Sequence, residues 1–162
     1  MTEDFTHTTE EGTIDMVDIG DKPDTHRRAI AEGTITLREE TCTAIQNNAI
    51  EKGDVLTSAR IGAIQAVKHT WEVIPLCHQI PITDIDTTFD VNENSVILTV
   101  GVETIGKTGC EMEAIYGVST GLAVIWDMVK SIEKDAQGNY PTTAITDIQI
   151  LTKEKKTLNG GE

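Results

Sequence analysis

Two alternating segments flank Asn92-Glu93-Asn94, and they constrain the fold more than any other feature of the chain. Residues 82–91 (ITDIDTTFDV) and 95–105 (SVILTVGVETI) place apolar side chains at nearly every second position. A period of two belongs to a strand with one buried face. A short polar turn between two such strands makes an antiparallel hairpin. A purely helical bundle and a purely parallel sheet are thereby excluded.

The rest of the chain mixes helix and strand signals. Residues 28–37 (RAIAEGTITL) have strand composition in their second half, and 38–48 form a short helix ended by two asparagines. Asp54 is a good N-cap for a helix through about Lys68. In that helix Ala59, Gly62, Ala63 and Ala66 are small enough for close packing. A long helix is expected from about Glu111 to about Lys134, and a last strand over 142–152 (TTAITDIQILT). The fold class is therefore α+β. Residues 114–126 of the long helix carry no charge and are apolar on all sides. Such a helix is covered all round. A small domain with an open sheet has little material for that, so part of the cover is expected from another subunit; a central helix lying across the sheet is the alternative. The stretch is also shorter than the ~20 residues that span a bilayer.

At 162 residues the chain is read as one domain over 13–156, with a disordered arm over 1–12 and a frayed tail over 157–162. Thirteen Lys and Arg against 27 Asp and Glu give a net charge of −14. That balance disfavours nucleic acid and anionic membranes as partners. It also suggests a solvated acidic surface of the kind that salt-adapted proteins carry. Cys42, Cys77 and Cys110 are scattered and form no CxxC, so neither a disulfide framework nor a zinc knuckle is expected. The first 13 residues are acidic and polar and lack a secretory leader's pattern. A soluble cytoplasmic protein is expected.

Four constellations carry chemistry, each with a plainer reading beside it. Pro75 and Pro81 bracket Leu76-Cys77-His78, a stiff segment whose histidine can titrate or donate to phosphate. The same histidine can simply hold a loop carbonyl. Lys52 precedes Gly53 and the cap Asp54, where a lysine is not favoured by the helix dipole but could serve an anionic ligand. Arg60 and Lys68 follow near one face of that helix, as a cationic rail or a wet surface. Asp127 and Lys130 are three apart on the long helix, so their side chains can meet. Glu111 and Glu113 suit the first turn of a helix on dipole grounds alone. Glu113 and Asp127 lie ~21 Å apart along one helix, so both reach one small centre only through a long ligand or a second subunit.

Residues 101–108 (GVETIGKT) match the phosphate-loop pattern G-x-x-x-x-G-K-[ST]. Strand alternation continues through Val102–Ile105, and no later apolar strand supplies a metal-binding Asp. The match is read as coincidence. Gly106-Lys107-Thr108-Gly109 remains a plausible anion-binding turn.

At these residues the chain resembles the cyclic pyranopterin monophosphate synthases, the molybdenum cofactor biosynthesis protein C family. The resemblance runs from Met16-Val17-Asp18-Ile19-Gly20 through Lys52-Gly53-Asp54-Val55, Ala59-Arg60-Ile61, Ile64-Gln65-Ala66 and Ile74-Pro75-Leu76-Cys77-His78. It continues in Thr108-Gly109-Cys110-Glu111-Met112-Glu113-Ala114 and Asp127-Met128-Val129-Lys130. It implies a ferredoxin-like α+β subunit in a homohexamer built as a trimer of dimers. It implies conversion of 3′,8-cyclo-7,8-dihydro-GTP to cyclic pyranopterin monophosphate with release of pyrophosphate. Substrate contacts would come from Leu76, Cys77, His78, Met112 and Glu113. The catalytic acid position matches Asp127, the reactive lysines match Lys52 and Lys130, and Arg27 falls where the family has a phosphate-binding arginine. Gln79 stands where Pro is usual after the His, and Trp126 where Tyr is common before the Asp. No metal or cofactor is implied.

On that basis Lys52 and Lys130 are expected to shuttle protons, each with a lowered pKa from mutual repulsion and partial burial. His78, Arg27 and Lys68 would bind the triphosphate. Two other classes stay open: a phosphate-loop NTPase using Lys107, and a nucleotide-binding oligomer without turnover.

Overall fold

The computed structural model describes Gly12 and residues 14–158. The expected arm therefore falls outside the described residues except for Gly12, and so do residues 159–162 of the expected tail. Seven elements follow in order: β1 (Thr25–Thr36), α1 (Glu39–Gln46), α2 (Val55–Val73), β2 (Ile82–Val91), β3 (Ser95–Gly106), α3 (Glu111–Glu133) and β4 (Ala144–Thr157). The four strands form one antiparallel sheet in the order β2-β3-β1-β4. The α+β class is as expected.

Alternation in the sequence sets the sheet's two faces. Register pairs Ala29 with Val102, Ala31 with Val100 and Ile35 with Val96 across β1 and β3. All six are buried, beneath α2 and α3. The intervening residues Arg28, Ile30, Glu32 and Thr34 lie on the other face, which no helix covers, and are only half-buried. β1 begins at Thr25, ahead of the expected strand. β4 runs past the expected end to Thr157, which pairs with Thr25. Its second half (LTKEKKT) carries no apolar alternation because it is exposed on both sides and is held by backbone pairing with β1.

Small residues bring the two long helices together. A Cβ at Gly117 would meet Val67 and Val100, and one at Gly121 would collide with Leu98 and touch Ala63. These glycines let α3 lie flat on both α2 and the sheet. The remaining side of the uncharged stretch stays partly open. Ile115, Tyr116, Ser119 and Val124 are half-buried and Ala123 is exposed. The chain itself thus covers one side of α3 and not all of it. No helix among the described residues is long and apolar enough to cross a membrane.

Candidate functional site

All the expected site residues except Arg27 and Lys68 fall into two groups at opposite ends of α3. At its N-terminal end, the β3–α3 turn and the segment after α2 enclose a cavity of about 460 Å³. Leu76, Cys77 and His78 line one side, and Met112 and Glu113 line the other. The five expected substrate-contacting residues therefore share one cavity. Its remaining walls are Val17, Ile19, Lys22, Thr108, Gly109 and Glu111. Thr108 and Gly109 belong to the turn read as a plausible anion-binding one, and Glu111 to the first-turn acids; Lys22 was not singled out. Val17 and Ile19 carried a signal, as alternate apolar residues inside a polar segment.

Backbone and side-chain bonds hold that segment in place. Lys107 donates its ammonium to the Gly20 carbonyl, and Gly20 N donates to Asp18 Oδ1 at 2.7 Å. Arg27 Nη2 donates to the Lys107 carbonyl at 3.2 Å and Arg27 Nε to the Gly106 carbonyl at 3.4 Å. Arg27 thus braces the turn that forms the cavity wall, outside the cavity itself. Glu111 pairs with Lys153 of β4.

Glu113 is 4% exposed. Burial pushes its carboxyl up to about 7, and the neighbouring Glu111 adds to the shift. Near neutral pH such a group can give or take a proton. Burial also raises the Cys77 thiol, with Glu113 contributing. Cys77 is therefore a thiol and not a thiolate nucleophile at neutral pH.

The second group lies at the other end of α3. Asp127 Oδ1 accepts from Lys130 at 2.6 Å, and Asp127 Oδ2 accepts from Lys52 at 3.3 Å. Lys52 also donates to the Asp127 carbonyl at 2.6 Å. The loop bearing Lys52 follows α1 and turns at Gly53, whose φ of 114° favours glycine. Asp54 then caps α2 by accepting from Thr57 N at 2.9 Å. Side-chain exposures of 41%, 60% and 45% for Lys52, Asp127 and Lys130 mark an open cluster.

That openness overturns the expected pKa of one lysine. The hydrogen bond and charge of Asp127 raise Lys130 above its ordinary value instead of lowering it. Lys130 and Lys52 in turn hold Asp127 below the usual carboxylate range. A carboxylate set between two ammoniums cancels the repulsion that a lowered value needs.

The structure decides between the two readings of Arg60 and Lys68, and it agrees with the reading of the phosphate-loop match as coincidence. Arg60 and Lys68 do not form a rail, because Arg60 bends onto β2. It donates to the Thr87 carbonyl at 2.6 Å and stands 5.5 Å from the Phe89 ring centroid. Lys68 is exposed on α2. The phosphate-loop match fails geometrically, since Gly101 to Gly106 belongs to β3 and pairs with β1 throughout. Among the described residues no group of three or more His, Cys, Asp or Glu is placed to hold a metal ion.

Comparison with known proteins places these residues in context. Residues 16–156 match the MoaC family. The chain is 61% identical over 155 residues to a "Probable cyclic pyranopterin monophosphate synthase" of Natronomonas pharaonis, covering 96% of this chain and 97% of the relative. It is 63% identical over 151 residues to a protein of the same name from Halobacterium salinarum, covering 93% of each. A relative from Methanothermobacter thermautotrophicus, 54% identical over 155 residues, covers 96% of this chain and 97% of its own length. It is named "Probable cyclic pyranopterin monophosphate synthase accessory protein".

Proposed function

The chain belongs to the MoaC family, and from that premise we propose that it is a cyclic pyranopterin monophosphate synthase. It is a lyase that converts 3′,8-cyclo-7,8-dihydro-GTP to cyclic pyranopterin monophosphate and releases pyrophosphate. This is an early step of molybdenum cofactor biosynthesis. The observation that carries the reading is the Lys52–Asp127–Lys130 cluster, two amines gathered on one carboxylate. Ring opening and reclosure on a purine skeleton need such proton carriers, and a polyanion needs the net positive charge they supply.

Leu76, Cys77, His78, Met112 and Glu113 contact the substrate in the N-terminal cavity. Buried acid in that cavity suits the amide and amine edge of the base. Lys52 and Lys130 move protons, and Asp127 orients both. Lys130, with its raised pKa, acts first as the charged acid. His78, Arg27 and Lys68 serve the phosphates; Arg27 would first release a turn carbonyl to do so.

A complete site takes the cavity from one subunit and the lysine cluster from another. Two features support this: the length of α3 between the groups and the half-covered side of its uncharged stretch. The subunit is ferredoxin-like, a reading supported by the sheet order β2-β3-β1-β4. The assembly is a cytoplasmic homohexamer, a trimer of dimers.

Incubating the purified protein with the cyclic dihydro-GTP tests the activity. Pyrophosphate and the cyclic phosphate product are expected in equal amounts. The accessory-protein name of one relative gives binding without turnover a specific standing. Tight binding with the substrate recovered unchanged would establish that second reading.

A further inference from the structure

Of the two buried acids among the described residues, Glu133 is the deeper, with no exposure. It is the last residue of α3. Its Oε1 accepts from Arg38 N at 3.1 Å and from the Thr41 hydroxyl, and its Oε2 accepts from Thr143 Oγ1 at 2.6 Å. All three donors are neutral. The Arg38 guanidinium turns away to the helix-end carbonyls of Ile132 at 3.3 Å, Glu133 at 2.8 Å and Lys134 at 3.3 Å. One carboxylate therefore joins the β1–α1 turn, the first turn of α1, the end of α3 and the approach to β4.

Burying a carboxylate among neutral donors carries a desolvation cost that an apolar residue would avoid. Stability alone is a poor account of an acid at this place. The clamp's location gives a better one. Lys130 and Asp127 lie one and two turns back along the same helix. On the other side, α1 runs directly into the loop that carries Lys52. That loop is tied down by Asn47 N to the Thr43 carbonyl at 3.1 Å, Ala49 N to Ala44 O at 2.8 Å and Gly53 N to Ile50 O at 3.0 Å. The first two bonds carry the helix pattern of α1 through Ala49, and the third closes a turn around Lys52. The seat of α1 on α3 thus sets where the Lys52 ammonium meets Asp127.

We propose that Glu133 is a positioning residue: its buried carboxylate fixes α1 against the end of α3 and thereby holds Lys52 on Asp127 beside Lys130. The proposal rests on the synthase reading for its effect on turnover, but the placement of Lys52 can be read without turnover.

The test compares Glu133→Ala, Glu133→Gln and Thr41→Val in the full chain. Two quantities are measured: pyrophosphate release, and the Cε resonance of Lys52 in protein carrying 13C at lysine Cε, assigned with Lys52→Arg. Glutamine keeps an acceptor for Arg38 and Thr41, and the Thr143 hydroxyl can turn to accept from its amide. Glu133→Ala should lower kcat by about tenfold or more with KM within about threefold, because misplaced groups lose rate before binding. Its Lys52 resonance should move toward that of a solvated lysine. Glu133→Gln should restore both. If Glu133→Ala fails to fold, Thr41→Val carries the test, with smaller changes in the same directions. An unmoved Lys52 resonance in the folded variant overturns the proposal. So does wild-type kcat in that variant, or a Glu133→Gln enzyme as impaired as Glu133→Ala. Wild-type protein that shows no turnover contradicts the synthase reading instead, and the Lys52 resonance then still decides the clamp.

Discussion

Glu113 and Asp127 occupy opposite ends of α3, one buried against a cavity and the other exposed between two lysines. A helix rises 1.5 Å per residue, which sets them ~21 Å apart along its axis. Within one chain the acid whose pKa is raised by burial and the acid that is held ionised by ammoniums cannot touch one small centre. The same separation gives the two carboxyls opposite environments, and hence opposite pKa shifts.

Glu113 should make stability fall with rising pH. Its folded value, about 7, exceeds the ordinary 4.5, so between those limits the folded state holds more protons than the unfolded chain. The resulting destabilisation is absent below about pH 4.5 and complete above about pH 7. Glu113→Gln should remove it, raising stability at pH 8 by on the order of 2 kcal/mol relative to wild type and by little at pH 4.5. Denaturant unfolding of both proteins at the two pH values checks this. An equal effect at both contradicts it.

Asp127→Asn should release Lys130. Without the carboxylate's hydrogen bond and charge, the Lys130 pKa falls back toward its ordinary value, as a 13C titration of lysine Cε can follow. Lys52 loses a partner in the same step. Pyrophosphate release should drop by about 100-fold, the usual scale for a lost acid–base group. A Lys130 titration unchanged by the substitution would contradict the assignment.

Gly121→Ala should destabilise the fold without touching either group of site residues. The added methyl collides with Leu98 and crowds Ala63, where α3 meets the sheet and α2. Overpacking of this kind costs about 1–3 kcal/mol. Urea unfolding measures it, and a stability equal to wild type would show that α3 does not pack as described.

A net charge of −14 should make stability depend on salt. Screening relieves repulsion among surface acids, so the unfolding midpoint should rise as KCl goes from low to molar concentration. A midpoint insensitive to KCl contradicts this.

The strands and helices were legible where one period dominated. The hairpin over Ile82–Val91 and Ser95–Gly106 was readable because burial alternates along it, between exposed and half-buried in most of β2 and between half-buried and buried in most of β3. The end of β4 was not, since LTKEKKT faces water on both sides and its pairing with β1 leaves no apolar trace. The cavity residues Leu76, Cys77, His78, Met112 and Glu113 could be named through the family resemblance and Thr108 as part of a candidate anion-binding turn, yet Lys22 could not. Lys22 reaches the cavity through the folding of an irregular segment, which no periodicity encodes. The raised Lys130 pKa was likewise hidden. Spacing showed that Asp127 and Lys130 could meet, but only the path of the loop after α1 shows that one carboxylate serves both amines. Glu133 carries no signal of its own in the sequence. Its burial depends on Arg38, Thr41 and Thr143, which are remote from it or lie across a turn.

The proposal of a site shared between subunits is tested most directly by mixing two dead enzymes. His78→Ala disables the cavity and Lys52→Ala disables the lysine cluster. Dissociating the two variants, mixing them in equal parts and reassembling them creates some sites that draw each intact half from a different subunit. With random pairing, about a quarter of the sites are fully intact, so about a quarter of wild-type pyrophosphate release should return. If each protomer instead housed a whole site, every site would carry one lesion, and the mixture would stay as inactive as its two components.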